Sequence, residues 1–389
     1  MIMSTTTEVI SPSAQKSTRL LSIDWVRGLT VAFMIMVNNN GQNDLAYRWM
    51  NHSPWNGFTP TDLVFPMFLF VMGVSLAISW GANRQRKIPA PVMLRHIVRR
   101  TLLLFLLGLV VNGFPYFHLG SLRIYGVLQR IAICYLFASL LQLATRRTSY
   151  WFSLFIFCLG VYWVLLCMMP VPGFGIPGKG FSILDPDINL TAWVDRHIFP
   201  HRLFETTRDP EGLLSDIPSL ASTLLGMIAG RWLVSIRSAA TKLTGMLASG
   251  SILLASGLLW SYSFPINKKL WTSSYVLFTA GLASICLALC YGVLDIRRWR
   301  GRWTKPFLVF GTNAIAAYMF SEIVADLLDR MQVHLADGSL LSWHEAVYER
   351  VFAPLASPAN ASLLYAMAYV VLCWAAVWVL YRKKIFLRV

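Results

Sequence analysis

Long apolar stretches alternate with short polar ones along almost the whole chain. Ten of them approach the length of about 20 residues that a helix needs to cross a bilayer. Backbone groups in hydrocarbon find no water to bond, so these stretches are expected to be helical. The predicted spans are residues 20–38, 61–81, 95–113, 122–144, 149–169, 216–236, 243–263, 272–294, 306–329 and 361–381. The pattern predicts an all-α fold, a polytopic membrane bundle of about ten transmembrane helices.

Composition supports a single membrane domain. Of the 389 residues 56% are hydrophobic and only 13% are charged, whereas soluble proteins carry about 25% charged residues. We expect residues 19–389 to form one transmembrane domain. Residues 1–18 are polar and rich in Ser and Thr, which predicts a disordered N-terminal segment in the cytoplasm.

The distribution of charge predicts how the bundle is oriented. The net charge of +16 arises from short basic clusters between apolar runs, which argues against a nucleic-acid partner. One alternate set of connecting segments, which includes both termini, holds more than twice as many Lys and Arg as the other. The positive-inside rule then places both termini in the cytoplasm. Segments 39–60 and 170–215 are expected on the far, non-cytoplasmic side.

The first far-side segment has the most unusual composition for a connector. Asn38 and Asn39 end the first span, and N-H-S-P-W-N-G-F-T-P-T-D follows as residues 51–62. His52 is either a polar loop residue at the interface or a general base, since imidazole accepts protons near neutral pH. The start of the next helix directs backbone N–H groups here, which would favour the neutral ring.

Asp62 has two compatible interpretations. Thr59 fits the N-cap of the following helix, Pro60 the first helical position, and Asp62 the position that closes a capping box. Alternatively, the Asp62 carboxylate orients the imidazole of His52 through a hydrogen bond.

The sequence S-L-R-I-Y-G-V-L-Q-R opens the fourth predicted span. It places Arg123 near the far face and Gln129 and Arg130 about two turns deeper. An arginine inside a span is costly and marks either a functional pathway or an ion pair. The predicted ion-pair partner of Arg130 is Glu322 or Asp326.

Basic residues also gather at the predicted cytoplasmic face. Arg27 is three residues from Asp24, so the two can pair along one helix face. Arg84, Arg95 and Arg99 belong to the densest basic cluster. This cluster either serves as an orientation signal or binds the phosphates of an anionic cofactor.

Two polar residues interrupt the ninth predicted span, and one histidine pair resembles metal ligands. Asn313 and Glu322 lie in apolar surroundings, where a carboxylate must be paired or protonated. His197 and His201 have ligand-like spacing, but Pro200 separates them and no third ligand is evident. No metal is therefore expected.

Several motifs together resemble one known family. They are R-L-x-S-x-D-x-x-R-G from Arg19, the V-N that ends the first span, H-x-x-W-N-G-x-T-x-x-D-L-V-F-P-x-F, R-I-x-G-V-L-Q-R, D-P-E-G-L-L at 209–214 and P-F-x-x-x-G-x-N-A at 306–314. This set, which covers nearly the whole chain, resembles the catalytic domain of heparan-α-glucosaminide N-acetyltransferase. The family has His before the helix-nine glutamate, whereas Ser321 precedes Glu322 here.

The resemblance implies an acetyl-CoA-dependent N-acetyltransferase that acts on a glucosamine amine. Its catalytic histidine corresponds to His52 and its paired asparagine to Asn38. Together with the residue patterns above, it gives catalytic candidates His52, Asn38 and Asp62; donor-binding candidates Arg27, Arg84, Arg95, Arg99, Arg123, Gln129 and Arg130; and acceptor-binding candidates Asn39, Trp55, Asn56, Asn313 and Glu322.

The expected function is transfer of acetyl from cytoplasmic acetyl-CoA to an amino sugar or glycan beyond the membrane. A transporter of amino sugars or glycan fragments is the main alternative, because intramembrane charges also suit transport. A membrane scaffold or sensor is the third. The sequence leaves four points open: the acceptor, the acyl group, the choice between direct transfer and an acetyl-histidine intermediate, and the oligomeric state. A homodimer is one option for the oligomeric state.

Overall fold

The structure is a computed structural model that describes residues 20–85, 88–334 and 340–387, without the side chains of residues 82–85. The predicted disordered segment 1–18 lies outside the described residues. The helices are α1 (Leu21–Asn38), α2 (Val64–Gln85), α3 (Ala90–Gly113), α4 (Val127–Ala144), α5 (Thr148–Cys167), α6 (Leu190–Ile198), α7 (Asp216–Leu233), α8 (Ala239–Ser261), α9 (Ser273–Tyr291), α10 (Lys305–Thr312), α11 (Ala314–Arg330), α12 (Trp343–Val347) and α13 (Pro358–Arg382). A short antiparallel hairpin pairs β1 (Gln332–His334) with β2 (Leu340–Ser342). This hairpin is the main departure from the predicted all-helical chain.

The structure confirms a polytopic helical bundle. Each of the ten predicted spans falls on helix. Within the described ranges, seven helices are long and apolar enough to cross a membrane, or eight if one bent pair counts as a single span. Helices α3 and α7 are not among the seven, so the count by this criterion is lower than the predicted ten.

The ninth predicted span is broken into two helices. Helices α10 and α11 meet at an angle of 78°. Asn313 lies between them with φ −131° and ψ 43°, outside the helical region, and its carbonyl accepts the first hydrogen bond of α11 from the Ala317 N–H. The apolar run gives no sign of this bend, because hydropathy reports which residues avoid water and not the direction of the chain.

Glycines allow three helix pairs to approach closely. A Cβ on Gly73 of α2 would lie 2.1 Å from the Thr223 carbonyl oxygen, and one on Gly226 of α7 would lie 2.0 Å from that of Phe70. The pair α1 and α10 meets in the same way at Gly28, and the pair α8 and α9 at Gly257. Small residues that let backbones touch are the usual means of helix association in membranes.

Several helices begin at one end of the bundle, which we call the His52 end. Asp62 precedes α2, Arg130 is in the first turn of α4, Asp216 begins α7 and Tyr275 is in the first turn of α9. Contacts join them there, since the Tyr275 hydroxyl donates to the Asp62 carbonyl at 2.6 Å and Arg130 pairs with Asp216 at 3.2 Å. The first turn of α1 and the last turns of α2 and α4 lie at the other end, which we call the opposite end.

Segment 170–215 packs over the His52 end and contains α6. Its residues Leu184 and Leu190 are buried in one apolar cluster with Phe264 and Leu270 from the connection between α8 and α9. Asn189 caps α6 by accepting a hydrogen bond from the Ala192 N–H at 2.9 Å. The long predicted loop is therefore packed structure that encloses the region around His52.

Candidate active site

The chain between α1 and α2 is braced by its own asparagines. The Asn40 amide donates to the side-chain oxygens of Asn43 and Asn51, both at 3.2 Å, and the Asn51 amide donates to the Asn43 carbonyl at 2.8 Å. The Thr59 hydroxyl donates to the Asn51 carbonyl at 2.7 Å. These bonds fix the residue that immediately precedes His52, so the imidazole is presented from an ordered segment.

His52 and Asp62 form a hydrogen-bonded pair. The imidazole Nδ1 lies 2.7 Å from one Asp62 carboxylate oxygen. The other oxygen accepts the backbone N–H groups of Thr59 at 2.9 Å and Ser53 at 3.2 Å. Asp62 thus makes both predicted interactions: it caps the start of the helix and it orients the imidazole ring of His52. Because a carboxylate accepts, the proton belongs on Nδ1, and Nε2 is unprotonated and keeps its lone pair.

The surroundings of His52 favour the neutral ring. Partial burial lowers the pKa of His52 below its usual 6.5, and the positive charge of Lys268 acts in the same direction, against the Asp62 hydrogen bond. The side chain is nevertheless 40% exposed, so an acceptor can reach it. A neutral imidazole with an accessible Nε2 is the form that a general base requires.

The connection between α8 and α9 holds the other side of this segment. The Gly57 N–H donates to the Ile266 carbonyl at 2.8 Å, and the Asn267 amide donates to the Asn56 side-chain oxygen at 3.1 Å. The next residue, Lys268, places its ammonium 2.9 Å from His52 Nε2. Neither Asn267 nor Lys268 was predicted from the sequence as a site residue. A polar N-K-K directly before an apolar span on the same face as His52 was the available signal.

Arg123 is bound to two carboxylates of segment 209–214. It makes a two-pronged bond to Asp209, at 2.8 and 2.5 Å, and a further bond to Glu211 at 2.5 Å. Burial tends to raise the pKa of the Glu211 carboxyl, but the charges of Arg123, Arg130 and Lys268 together outweigh it and the pKa is lowered. Arg123 thus ties the segment before α4 to the segment before α7. Its role in binding the donor stays a prediction.

Gly212 of the same segment has a clear packing role. A Cβ there would lie 1.9 Å from the Asp195 Oδ2. Asp195 is fully buried and accepts the Leu213 N–H at 3.1 Å through its other oxygen. Burial raises the pKa of Asp195 to about 7. Asp195 was not among the residues predicted from the sequence, and it supports the 209–214 segment from within the protein.

Arg130 differs from the prediction in both depth and partner. Helix α4 begins at Val127 and not near residue 122, so Gln129 and Arg130 lie in its first turn. Arg130 is fully buried and pairs with Asp216 at 3.2 Å, not with Glu322 or Asp326. The later start follows from Asn112, whose amide donates to carbonyls of the extended segment before α4.

The asparagines at the end of α1 have separate contacts. Asn39 is buried, and its amide donates to the Ile35 carbonyl at 2.8 Å, which satisfies the helix end. Asn38 is exposed, and its side chain interacts with the carboxylate of Glu322 on α11. The structure therefore brings Asn38 and Glu322 together and makes Asn38, rather than Asn39, the available amide.

The residues predicted to contact the acceptor lie at both ends of the bundle. The Trp55 indole donates to the Leu184 carbonyl at 2.8 Å, and Arg208 covers its ring at 5.0 Å. Asn313 is remote from them. It is buried beside the first turns of α1, and its amide binds the backbone of Ile385 and Leu387 at 3.1 and 2.9 Å. The structure gives Asn313 a contact with the C-terminal segment and none with His52.

Two cavities open at the opposite end. The smaller, about 290 Å³, lies among α1, α2, α3, α4, α10 and α11, and its lining includes Arg27, Ser75, Arg100, Tyr135 and Leu387. Arg27 donates to the Ser75 hydroxyl at 2.5 Å, and Arg100 stacks over Tyr135 at 4.5 Å.

The larger cavity, about 590 Å³, lies among α2, α3, α4, α5 and α7. Its lining includes Trp80, Gln142, Arg146, Trp151 and Arg231.

The structure separates the predicted donor-binding residues into groups. Arg27 lines the smaller cavity. Arg95 and Arg99 are exposed on α3, and the side chain of Arg84 is outside the described part of the chain. In the described ranges, no cluster of three or more His, Cys, Asp or Glu could hold a metal ion.

Comparison with known proteins yields a family match and two close relatives. Residues 19–264 match the family model described as heparan-alpha-glucosaminide N-acetyltransferase, catalytic. The heparan-alpha-glucosaminide N-acetyltransferases of Mus musculus and Homo sapiens are 31% and 30% identical over 97% and 95% of this chain. The chain spans only 62% and 60% of the length of these relatives.

Proposed function

This chain belongs to the heparan-alpha-glucosaminide N-acetyltransferase catalytic family, and we propose that it is a membrane acetyltransferase. The proposed reaction moves acetyl from acetyl-CoA to the amine of a glucosamine-type sugar or glycan. The observation that carries the proposal is the His52–Asp62 pair, which lies in the matched region and leaves Nε2 unprotonated on a partly exposed ring. Family membership supports the reaction type, and the pair supplies the base that the reaction needs.

We propose that His52 acts as the general base. The acceptor nitrogen forms a bond to the acetyl carbon while Nε2 takes a proton from that nitrogen. The resulting tetrahedral intermediate then breaks its carbon–sulfur bond, and the proton passes from the imidazolium to the leaving thiolate, giving CoA with a free thiol. The Asp62 carboxylate stabilises the imidazolium through the Nδ1–H, and such acid–base help is worth about 10²–10⁴ in rate.

Asn38 is the proposed donor to the oxygen of the thioester as negative charge develops on it. Its amide is exposed at the end of α1, close to the segment that carries His52. Its interaction with Glu322 orients that amide. A preorganised donor of this kind contributes about 2.7–4 kcal/mol to an acyl transfer.

The smaller cavity is the proposed entrance for acetyl-CoA. Three of the helices that line it lead toward the proposed site: α1 ends at Asn38, α2 begins directly after Asp62, and α11 carries Glu322 near its middle. Arg27 and Arg100 would bind the phosphates at its mouth, as guanidinium groups do. The donor arm would then extend along these helices toward the His52 end.

The proposed orientation puts the opposite end in the cytoplasm of a bacterial cell and the His52 end beyond the inner membrane. The excess of Lys and Arg in the segments at the opposite end supports it. In this arrangement the donor comes from the compartment where CoA thioesters are made, and the acceptor is a glycan outside.

The test is release of free thiol by the purified protein in detergent with acetyl-CoA and a panel of amino sugars. We expect thiol release that depends on the acceptor and is lost in His52→Ala, while binding of acetyl-CoA persists. His344→Ala is the matched control, because that imidazole also pairs with a carboxylate, at 2.8 Å from Asp329. No acceptor-dependent thiol release, together with sugar uptake into proteoliposomes, would establish a transporter instead.

A further inference from the structure

A lysine that the family motifs above do not include lies against the proposed base. The Lys268 ammonium is 2.9 Å from His52 Nε2 and 3.2 Å from Nδ1. Its backbone is fixed, because the preceding Asn267 accepts the Leu270 N–H at 2.9 Å and binds Asn56 across the gap. The ammonium is therefore carried by an ordered turn that lies next to the His52 segment.

The two distances show where the ammonium lies relative to the ring. The lone pair of Nε2 points outward in the ring plane, so an atom on that axis would be much farther from Nδ1 than from Nε2. The Lys268 nitrogen is almost equally far from both. The ammonium therefore lies beside the ring and away from the axis of the Nε2 lone pair, which stays open to an incoming amine.

Charged groups surround the imidazole on three sides. Asp62 faces it from the turn before α2, Lys268 from the connection between α8 and α9, and Glu211 from the segment before α7. Burial is the largest influence on Lys268 and lowers its pKa below the usual value; Lys269 and Arg130 act in the same direction, whereas Glu211 and Asp62 favour the charged ammonium. His52 is therefore placed between one carboxylate in direct contact and one ammonium in direct contact.

We propose that Lys268 is a positioning residue for His52, whose ammonium beside the ring keeps the imidazole neutral and its Nε2 available as a base. This inference rests on the proposed function, since it assigns Lys268 a purpose in the same reaction. Asp62 alone would orient the ring but would also favour the imidazolium, which cannot accept a proton. The ammonium offsets that effect without occupying the lone pair.

The sign of the expected effect follows directly. A positive neighbour disfavours the charged form of histidine, so the pKa of His52 should rise when the ammonium is removed. Activity that requires the neutral ring then needs a higher pH. In Lys268→Met we expect the acidic limb of the kcat/KM profile to move up by about 1 pH unit, at the low end of the effect of a close charge because the ring is partly exposed.

Two further variants isolate the charge. Lys268→Arg keeps a permanent positive charge and should restore the acidic limb to within a few tenths of a unit. Lys269→Met removes the same charge from the next residue, which pairs with Glu205 at 2.8 Å, and should leave the limb unmoved. Raising the salt concentration to about 1 M should shrink the Lys268→Met shift.

A second measurement does not depend on turnover. Diethyl pyrocarbonate modifies neutral imidazole, so its rate at His52, followed by mass spectrometry of the His52 peptide across pH, reports the protonation of that ring in the intact protein. The midpoint should rise in Lys268→Met by the same amount. A protein that transfers no acetyl yet shows this shift would refute the proposed function but leave the role of Lys268 intact.

An unchanged midpoint in the folded Lys268→Met protein would overturn the inference. Loss of kcat at every pH with no movement of the acidic limb would overturn it as well. That result would place Lys268 at the thioester oxygen and not at the protonation of His52.

Discussion

Replacement of Asp62 by Asn separates the two tasks of this residue. The carboxylate oxygen that accepts the Thr59 and Ser53 N–H groups can be replaced by an amide oxygen, which accepts the same bonds. Asn caps helices about as well as Asp, so the fold should keep its stability to within about 1 kcal/mol. The other position becomes an NH₂ group that faces His52 Nδ1. It must donate there, and the ring must then carry its proton on Nε2.

The expected loss follows from the wrong tautomer. With Nε2 protonated, His52 cannot accept the proton of the amine, and the contribution of the base disappears. That contribution is about 10²–10⁴ in rate, which corresponds to about 2.7–5.4 kcal/mol of transition-state free energy. The loss should appear in kcat, because neither the donor cavity nor the acceptor contacts involve Asp62.

The assay is acceptor-dependent thiol release, run beside a thermal unfolding measurement of each purified variant. In the double variant with His52→Ala, the Asp62→Asn change should cost almost nothing further, because both act through one ring. If Asp62→Asn keeps more than a tenth of the activity at unchanged melting temperature, the pair is not the base. If activity falls only in step with melting temperature, Asp62 is a cap alone.

Three other predictions address different parts of the molecule. The lowered pKa of His52 predicts that kcat/KM of the unmodified protein is half-maximal below pH 6.5, and a midpoint above 6.5 would contradict the proposed neutral base. Gly226→Ala should lower the melting temperature through an overpacking cost of about 1–3 kcal/mol. Gly160→Ala, where a Cβ meets nothing within 4 Å, should not lower it, and equal effects would refute the close α2–α7 contact. Arg100→Gln should raise the KM for acetyl-CoA and leave the KM for the sugar unchanged. Arg231→Gln, in the larger cavity, should alter neither KM. If Arg231→Gln and not Arg100→Gln raised the KM for acetyl-CoA, the donor would bind in the larger cavity instead.

The sequence predicted much of the bundle because hydropathy and helix formation are coupled in a membrane. Each predicted span falls on helix for that reason. The bend at Asn313 was not predictable in the same way, because an apolar run looks the same whether the chain continues straight or turns. The start of α4 was predicted too early, since the carbonyls of the extended segment are satisfied by Asn112 from a different helix.

The candidate site was predictable only where its residues are near one another in sequence. The capping pattern of Thr59 and Asp62 and the nearby His52 are local, and the structure brings them together. Lys268 is more than 200 positions away from His52. In the sequence its charge served only to predict the orientation of the bundle. The partner of Arg130 was misassigned for the same reason, because several carboxylates on other helices were equally available to it.

The turn that carries Asn267 and Lys268 has a consequence for how the molecule is made. The family match ends at residue 264, directly before this turn, and the turn is joined to residues 56 and 57 by two hydrogen bonds. A nascent chain that has inserted its helices only as far as α8 therefore holds His52 and Asp62 without their final support. The region becomes complete only when α9 has been synthesised. The chemical reactivity of His52 in ribosome-bound chains that stop short of α9 should therefore differ from its reactivity in the complete protein.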